Sequence, residues 1–329
     1  MSEEKPQSKI QFITIEDREG QRIDNFLIGY FHYKAPKSLI YRLIRKGVIR
    51  VNKKRIQPTY KLNFGDIVKI PSISIDENQQ KPIINAENLE FLENRILFED
   101  QYFLVLNKPQ GLAVHGGSGI SSGLIERLRI IRPNEKRLEL VHRLDKATSG
   151  CIIVAKKHQI LTYFHELLTT KKNIKKTYHA LVKGKYDKRK NKIDLPLLKY
   201  KRPSGEHAVC VDENGKASIT TVNVIKHYQN KNKLLESTLV QARPLTGRTH
   251  QLRVHLKAMN SPIIGDEKYG DYKINQEFNN KGYKRLFLHA YELKFIHPIT
   301  DEAMTITAPY DEAFIACTED LSKEALSLK

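Results

Sequence analysis

The chain has 329 residues and a formal net charge of +19, from 56 Lys and Arg against 37 Asp and Glu. A surplus of that size points to a polyanionic partner, because each neutralised phosphate releases condensed counterions. With no Trp and no basic amphipathic stretch backed by an apolar face, a membrane surface is set aside as that partner.

The start, Met1-Ser2-Glu3-Glu4-Lys5-Pro6, is polar, and no apolar run approaches the ~20 residues that span a bilayer. Cys151, Cys210 and Cys317 are odd in number and lack C-x-x-C spacing, so neither a disulfide nor a zinc framework is expected. The expectation is a soluble cytoplasmic protein without a membrane anchor. The length suggests about two domains of ~100–200 residues.

Residues 12–72 read as a self-contained module. Ile23, Phe26, Leu27, Tyr30 and Phe31 recur at helical spacing. Leu39, Ile40, Leu43 and Ile44 mark a second helix, preceded by Pro36 and ended by Gly47. A strand is expected over Val48–Asn52, and Gly65-Asp66 turns the chain into another over Ile67–Ile70. Residues 34–55 contain Lys34, Lys37, Arg42, Arg45, Lys46, Arg50, Lys53, Lys54 and Arg55 and no acid. A basic helix is usually only a solvated face. Here the absence of any acid, with Arg42, Arg45 and Lys46 off the apolar stripe, favours RNA phosphates as the partner of Lys37 and the seven basic residues from Arg42 to Arg55.

Residues 73–93 are polar and without period, and are expected to be a linker. The larger domain, 94–320, alternates short apolar runs with helical stretches. Tyr102–Leu106, Cys151–Ala155, Tyr178–Val182, Thr238–Ala242 and Leu293–Ile296 are expected strands, and Leu161, Phe164, Leu167 and Leu168 share a helical face. Mixed α and β structure with a substantial sheet follows; strand order does not.

Catalytic patterns from other classes fail. Gly117-Ser118-Gly119 reaches its next glycine at Gly123, one residue too late for G-x-G-x-x-G, and reads as a loop. His250 and His255 are five apart with no H-E-x-x-H glutamate, so no metal is expected. No P-loop occurs, and His142-Arg143-Leu144-Asp145 has no D-F-G segment to complete a kinase site. No second carboxylate accompanies Asp145 in its segment, as a glycosidase would need.

Four segments remain: Asn107-Lys108-Pro109-Gln110-Gly111, His142-Arg143-Leu144-Asp145-Lys146-Ala147-Thr148-Ser149-Gly150, Lys176-Thr177-Tyr178-His179-Ala180-Leu181-Val182, and Gly247-Arg248-Thr249-His250-Gln251-Leu252-Arg253-Val254-His255. They resemble the motifs N-K-P-x-G, H-R-L-D-x-x-T-S-G, K-x-Y-x-A-L-V and G-R-T-H-Q-L-R-V-H of the RluA-like pseudouridine synthases. The basic module resembles an S4 RNA-binding domain. The likeness runs from about residue 12 to about 315. It departs at Asn260-Ser261-Pro262, where relatives commonly carry Gly-His-Pro.

The resemblance implies an α+β protein: a small S4 domain followed by a mixed, mainly antiparallel catalytic domain with a central cleft. It implies an isomerase that detaches uracil from ribose, turns it and rejoins it through C5, with no cofactor. By the same likeness Asp145 is the catalytic carboxylate, Arg248 the cation paired with it, and Tyr178 the aromatic against the flipped base. Arg143 replaces the extruded base in the stack, and His142 and Leu252 contribute to the substrate pocket. Individually, such residues are more often a turn aspartate, a core tyrosine and a surface arginine. The finer likeness favours large-subunit ribosomal RNA, met during ribosome assembly, with a monomer as the default. A transfer RNA enzyme and a non-catalytic assembly factor stay open.

Overall fold

The computed structural model describes residues 10–16, 18–31, 35–71, 86–116, 122–135, 137–170, 174–232 and 235–326. The Gly117-Ser118-Gly119 segment, residues 73–85 and the side chain of Lys37 lie outside the described residues. The chain divides into two compact units with the boundary between residues 83 and 84.

The first unit contains β1 (Gln11–Thr14), α1 (Ile23–Tyr30), α2 (Lys37–Arg45), β2 (Arg50–Val51) and β3 (Ile67–Ile70). The three strands form an antiparallel sheet in the order β1-β3-β2. Ile23 and Leu27 of α1 and Ile40 and Ile44 of α2 bury one stripe each against Val51, Val68 and Ile70. That packing leaves Arg42, Arg45 and Lys46 exposed on the opposite side of the second helix. Gly47 ends α2 at φ +69, where a side chain would be strained and a Cβ would lie 2.6 Å from Arg55 Nε. The strand expected over Val48–Asn52 shortens to two residues because Asn52 and Lys53 both adopt positive φ and turn the chain.

The second unit opens with a 3-10 helix, Ala86–Arg95. The expected linker is therefore corrected at its C-terminal end: Leu89 and Leu92, three residues apart, fall on one face of a 3-10 helix and are buried. Next come β4 (Ile96–Glu99), β5 (Phe103–Lys108), α3 (Leu124–Ile131), β6 (Glu139–Leu140), β7 (Ser149–Ala155) and α4 (His158–Thr170). They are followed by β8 (Ile174–Lys183), β9 (Lys192–Asp194), β10 (Leu197–Lys201), β11 (His207–Val211), β12 (Ile219–Tyr228) and β13 (Ser237–Pro244). The last elements are α5 (Gln251–Ala258), α6 (Tyr272–Asn280), β14 (Leu288–Ile296), β15 (Ala303–Thr307) and α7 (Glu312–Leu326).

Ten of these strands form one sheet in the order β4-β5-β7-β14-β8-β13-β12-β9, with β6 on β7 and β15 on β14. Only the β7–β14 contact is parallel among the described pairs, so the sheet is mixed and mainly antiparallel, as expected. β10 and β11 form a separate hairpin. The centre of the sheet is covered on both faces, which explains its continuous apolar runs. On β5 and β7, Phe103, Val105, Cys151 and Ile153 pack with Leu161 and Phe164 of α4, while Leu104, Leu106, Ile152 and Val154 pack with Leu124 and Leu128 of α3. At Gly150, φ is +108 and a Cβ would stand 2.3 Å from Ala290 O, so only glycine lets β7 reach β14 at this point. Asn260, at the departure from the family pattern, holds φ +58, a conformation asparagine tolerates better than most residues.

Three histidines, His142 half-buried and His179 and His289 buried, are expected to make the second unit acid-sensitive. Burial pushes His142 down to about 3, and His179 and His289 down to about 4. His289 is held between Ser149 Oγ at 2.8 Å and Ala308 O at 3.1 Å. The unfolded chain takes up these protons near pH ~6.5, whereas the folded chain resists them until the pH approaches the lowered values. Stability therefore falls as pH drops from ~6.5 to ~4, by on the order of several kcal/mol in sum. Urea melts at pH 7, 5.5 and 4.5 measure this; a midpoint unchanged across that range would contradict it.

Candidate active site

Sheet order explains how three distant segments meet. β7, β14, β8 and β13 are neighbours. The loop from β6 into β7 carries His142, Arg143 and Asp145; β8 carries Tyr178; the turn from β13 into α5 carries Arg248 and His250; and the first turn of α5 carries Leu252 and Arg253. All of these residues line one cleft of about 1110 Å³.

The Asp145 loop is pinned from beneath. Lys108 is completely buried, and its Nζ donates to Pro109 O (2.9 Å), Leu112 O (2.8 Å) and Lys146 O (3.2 Å). Burial pushes its ammonium down to about 7, with the charge of Asp145 opposing that shift. Three carbonyls matched to three N–H donors are the arrangement of an ammonium. Lys108 was visible only as a letter of the N-K-P-x-G motif; nothing local in the sequence gives it this bracing role. Gly111 N–H also donates to Lys146 O, and Thr148 N–H to Asp145 O, so the carbonyls of Asp145 and its C-terminal neighbour are both held.

The partner of Asp145 differs from the expectation. Arg253 Nη1 donates to Asp145 Oδ2 at 3.1 Å, while its Nε and Nη2 form a fork on Asp266 at 2.7 and 2.8 Å. Arg248 is exposed, and its Nε donates instead to Ala217 O at 3.2 Å. The expected pairing of Arg248 with Asp145 is thus corrected to Arg253. The reason is local. His250 takes a left-handed conformation (φ 52) at the N-cap of α5, which leaves Arg248 on the entering loop and puts Arg253 in the buried first turn. Burial works against charge on Arg253, but its bonds to Asp266 and the charges of both carboxylates raise its pKa. Asp266 is lowered despite its burial, by Arg253 and by the Lys268 and Tyr269 N–H groups. An arginine between Leu252 and Val254 on a buried face needs acids nearby; that requirement was the available signal.

Tyr178 packs between two of the second unit's core clusters and faces the cleft. Burial first, and the charge of Asp145 second, raise its pKa, so the phenol keeps its proton at neutral pH. Leu252 is both a cleft wall and a core residue, 6% exposed. Arg143 is exposed at the cleft and forms no ion pair with another described residue. His142 lines the cleft, but its Nε2 accepts Ile153 N–H at 3.3 Å, so that edge of the ring serves the loop. In the first unit Arg42, Arg45, Lys46, Lys53, Lys54 and Arg55 are exposed, and Arg50 is half-buried, its Nε donating to Gly47 O. None of the seven pairs with an acid among the described residues.

A strand-bound tyrosine and an arginine-paired aspartate share a basic cleft within the second unit, and the first unit by itself presents exposed basic side chains. The RNA pseudouridylate synthase model matches residues 102–258 and the S4 domain model matches residues 21–68. The chain belongs to the RNA pseudouridylate synthase family and is an enzyme that isomerises uridine. It is 48% identical over 304 residues to ribosomal large subunit pseudouridine synthase C of Pasteurella multocida, covering 92% of this chain and 91% of the relative. Against the protein of that name from Escherichia coli it is 47% identical over 324 residues, covering 98% and 99%. Among solved structures, human RNA pseudouridylate synthase domain containing 4 superposes with a TM-score of 0.58 at 26% identity, over 72% of this chain and 96% of that one. The family, fold class and enzyme class implied by the sequence motifs all hold. Among the described residues no helix is long and apolar enough to cross a membrane.

Proposed function

We propose that this enzyme converts specific uridines of large-subunit ribosomal RNA to pseudouridine in the cytoplasm, acting as a monomer during ribosome assembly, with Asp145 as its catalytic carboxylate. The observation that carries this reading is the charge of the cleft. Among the described residues of the lining Asp145 is the one acid, beside Arg143, Lys175, Lys176, Arg243, Arg248 and Arg253. Six cations suit the phosphates on either side of a flipped nucleotide, and a lone carboxylate among them suits the reacting ribose.

The reaction breaks the C1′–N1 bond, turns the base and joins C1′ to C5; C5 loses a proton and N1 gains one. Nothing else enters or leaves, so no cofactor is required. Asp145 serves by attacking the nucleoside or by withdrawing a ribose proton. Tyr178 offers a ring for the uracil to stack on and a hydroxyl that can hand over a proton. Arg143 fills the space the base vacates, and Leu252 and His142 shape the pocket. The names of the relatives, matched along nearly their whole length, favour ribosomal RNA over transfer RNA and over a non-catalytic assembly role.

Lys37, Arg42, Arg45, Lys46, Arg50, Lys53, Lys54 and Arg55 grip the RNA backbone in this reading. Removing residues 1–72 is expected to weaken binding of a structured large-subunit rRNA fragment by ~10–100-fold, with a much smaller change in the rate at saturating RNA. Filter binding and single-turnover conversion on rRNA and transfer RNA transcripts test both parts. Unchanged affinity after truncation would remove the grip from the first unit. Conversion of the transfer RNA alone would overturn the substrate.

A further inference from the structure

Beside Asp145 lies a second polar pair that the mechanism above does not use. His250 lines the cleft with φ 52 and ψ 19, a left-handed conformation uncommon outside glycine. It occupies the N-cap of α5, yet its side chain makes no capping hydrogen bond. The ring turns to Tyr269 instead, with Nδ1 2.7 Å from the phenolic oxygen. Tyr269 is buried, and the same oxygen accepts Val209 N–H at 3.0 Å.

A phenol has one proton to give. Its oxygen accepts from Val209, and among the described residues His250 Nδ1 is the one acceptor within reach of the hydroxyl, so the hydroxyl donates to Nδ1, which requires that nitrogen to be unprotonated. Burial lowers the pKa of His250 and raises that of Tyr269, so the pair stays a neutral phenol and a neutral imidazole. The imidazole proton then sits on Nε2, 3.7 Å from Asp145 Oδ2. Arg253 Nη1 donates to that same oxygen, and the Arg253 guanidinium lies 5.0 Å from the centre of the Tyr269 ring. One tyrosine thus supports both donors. They converge on Oδ2, and Oδ1 receives no hydrogen bond from another described residue.

Taking Asp145 as the catalytic carboxylate, we propose that His250 is a positioning residue, held by Tyr269 as its Nε2–H tautomer and closing onto Asp145 Oδ2 so that Oδ1 is the oxygen presented to the ribose. The gap of 3.7 Å is longer than a hydrogen bond, and it shortens when uridine occupies the cleft.

The test uses the full-length protein and a large-subunit rRNA transcript labelled with tritium at uracil C5, whose release reports turnover. Tyr269→Phe keeps the ring under Arg253 and removes only the hydroxyl. Its rate at saturating RNA is expected to fall about 10-fold, equivalent to ~1.4 kcal/mol in the barrier, with the half-saturating RNA concentration changed less than ~2-fold. His250→Gln, which retains an N–H donor, is expected to exceed His250→Leu in saturating rate by about 10-fold. Nitrogen-15 NMR of the wild-type protein is expected to show His250 protonated at Nε2. A wild-type saturating rate for Tyr269→Phe, equal rates for the two His250 variants, or an Nδ1–H tautomer would each overturn the proposal. Asp145→Asn run alongside separates the two levels. Inert Asp145→Asn with fully active Tyr269→Phe overturns the positioning role alone, whereas active Asp145→Asn overturns the catalytic reading on which it rests.

Discussion

Asp145→Asn is expected to lower single-turnover conversion of uridine by at least ~10³-fold, with little change in thermal stability. Asparagine preserves the size of the side chain, and its amide oxygen can still accept from Arg253 Nη1. The side chain is 22% exposed, so the lost charge interaction costs about 1 kcal/mol or less after solvent screening. What disappears is the anionic oxygen, which the amide supplies neither as nucleophile nor as base. Tritium release from C5-labelled RNA, beside a thermal melt of the same preparation, separates chemistry from folding. A variant that melts normally but retains more than a tenth of the activity would remove Asp145 from the reaction.

The second large effect falls on Arg253. Arg253→Met is expected to destabilise the second unit by ~3–5 kcal/mol and to abolish measurable turnover. Asp266 is 2% exposed and would keep two backbone N–H donors but lose its guanidinium fork, leaving a buried carboxylate without a counter-charge. Asp145 would lose the cation at 3.1 Å in the same step. Arg248→Met, by contrast, removes an exposed side chain bonded to one carbonyl and is expected to alter stability by no more than ~0.5 kcal/mol. Its effect should appear as weaker RNA binding, since Arg248 is one of the cleft cations. Urea unfolding and turnover of the two variants discriminate; a stable, active Arg253→Met protein would contradict the geometry.

The contrast between these arginines shows where sequence reading reaches its limit. Asp145 and Tyr178 stand in contiguous motifs, so the residue type and its neighbours were enough to nominate them. The choice between Arg248 and Arg253 turned on one backbone conformation at His250, which fixes where α5 begins and therefore which arginine is buried. Asp266, the acid that makes the burial of Arg253 tolerable, is 13 residues further on. Its aspartate reads in sequence as an ordinary turn residue after Gly265.

Much of the fold was legible for the same local reasons. β3 lies where the Ile67–Ile70 pattern puts it, and β5, β7, β8, β13 and β14 each contain most or all of an expected run. The order of the strands was not legible, because β7 meets β14 across a separation of 140 residues and that contact depends on a glycine with nothing at Cβ. The 3-10 helix over Ala86–Arg95 escaped for a different cause. A window rich in Glu and Asn reads as a linker when judged by composition, although Leu89 and Leu92 already carry the three-residue spacing.

The most direct test of the central claim maps pseudouridine across large-subunit ribosomal RNA in cells lacking this gene, then restores either the wild-type protein or Asp145→Asn. Sites that vanish on deletion and return only with the wild type are the predicted result, and they would establish the enzyme, its RNA and its carboxylate together. The same sites returning with both proteins would contradict a catalytic Asp145, and an unchanged ribosomal map would contradict the proposed substrate.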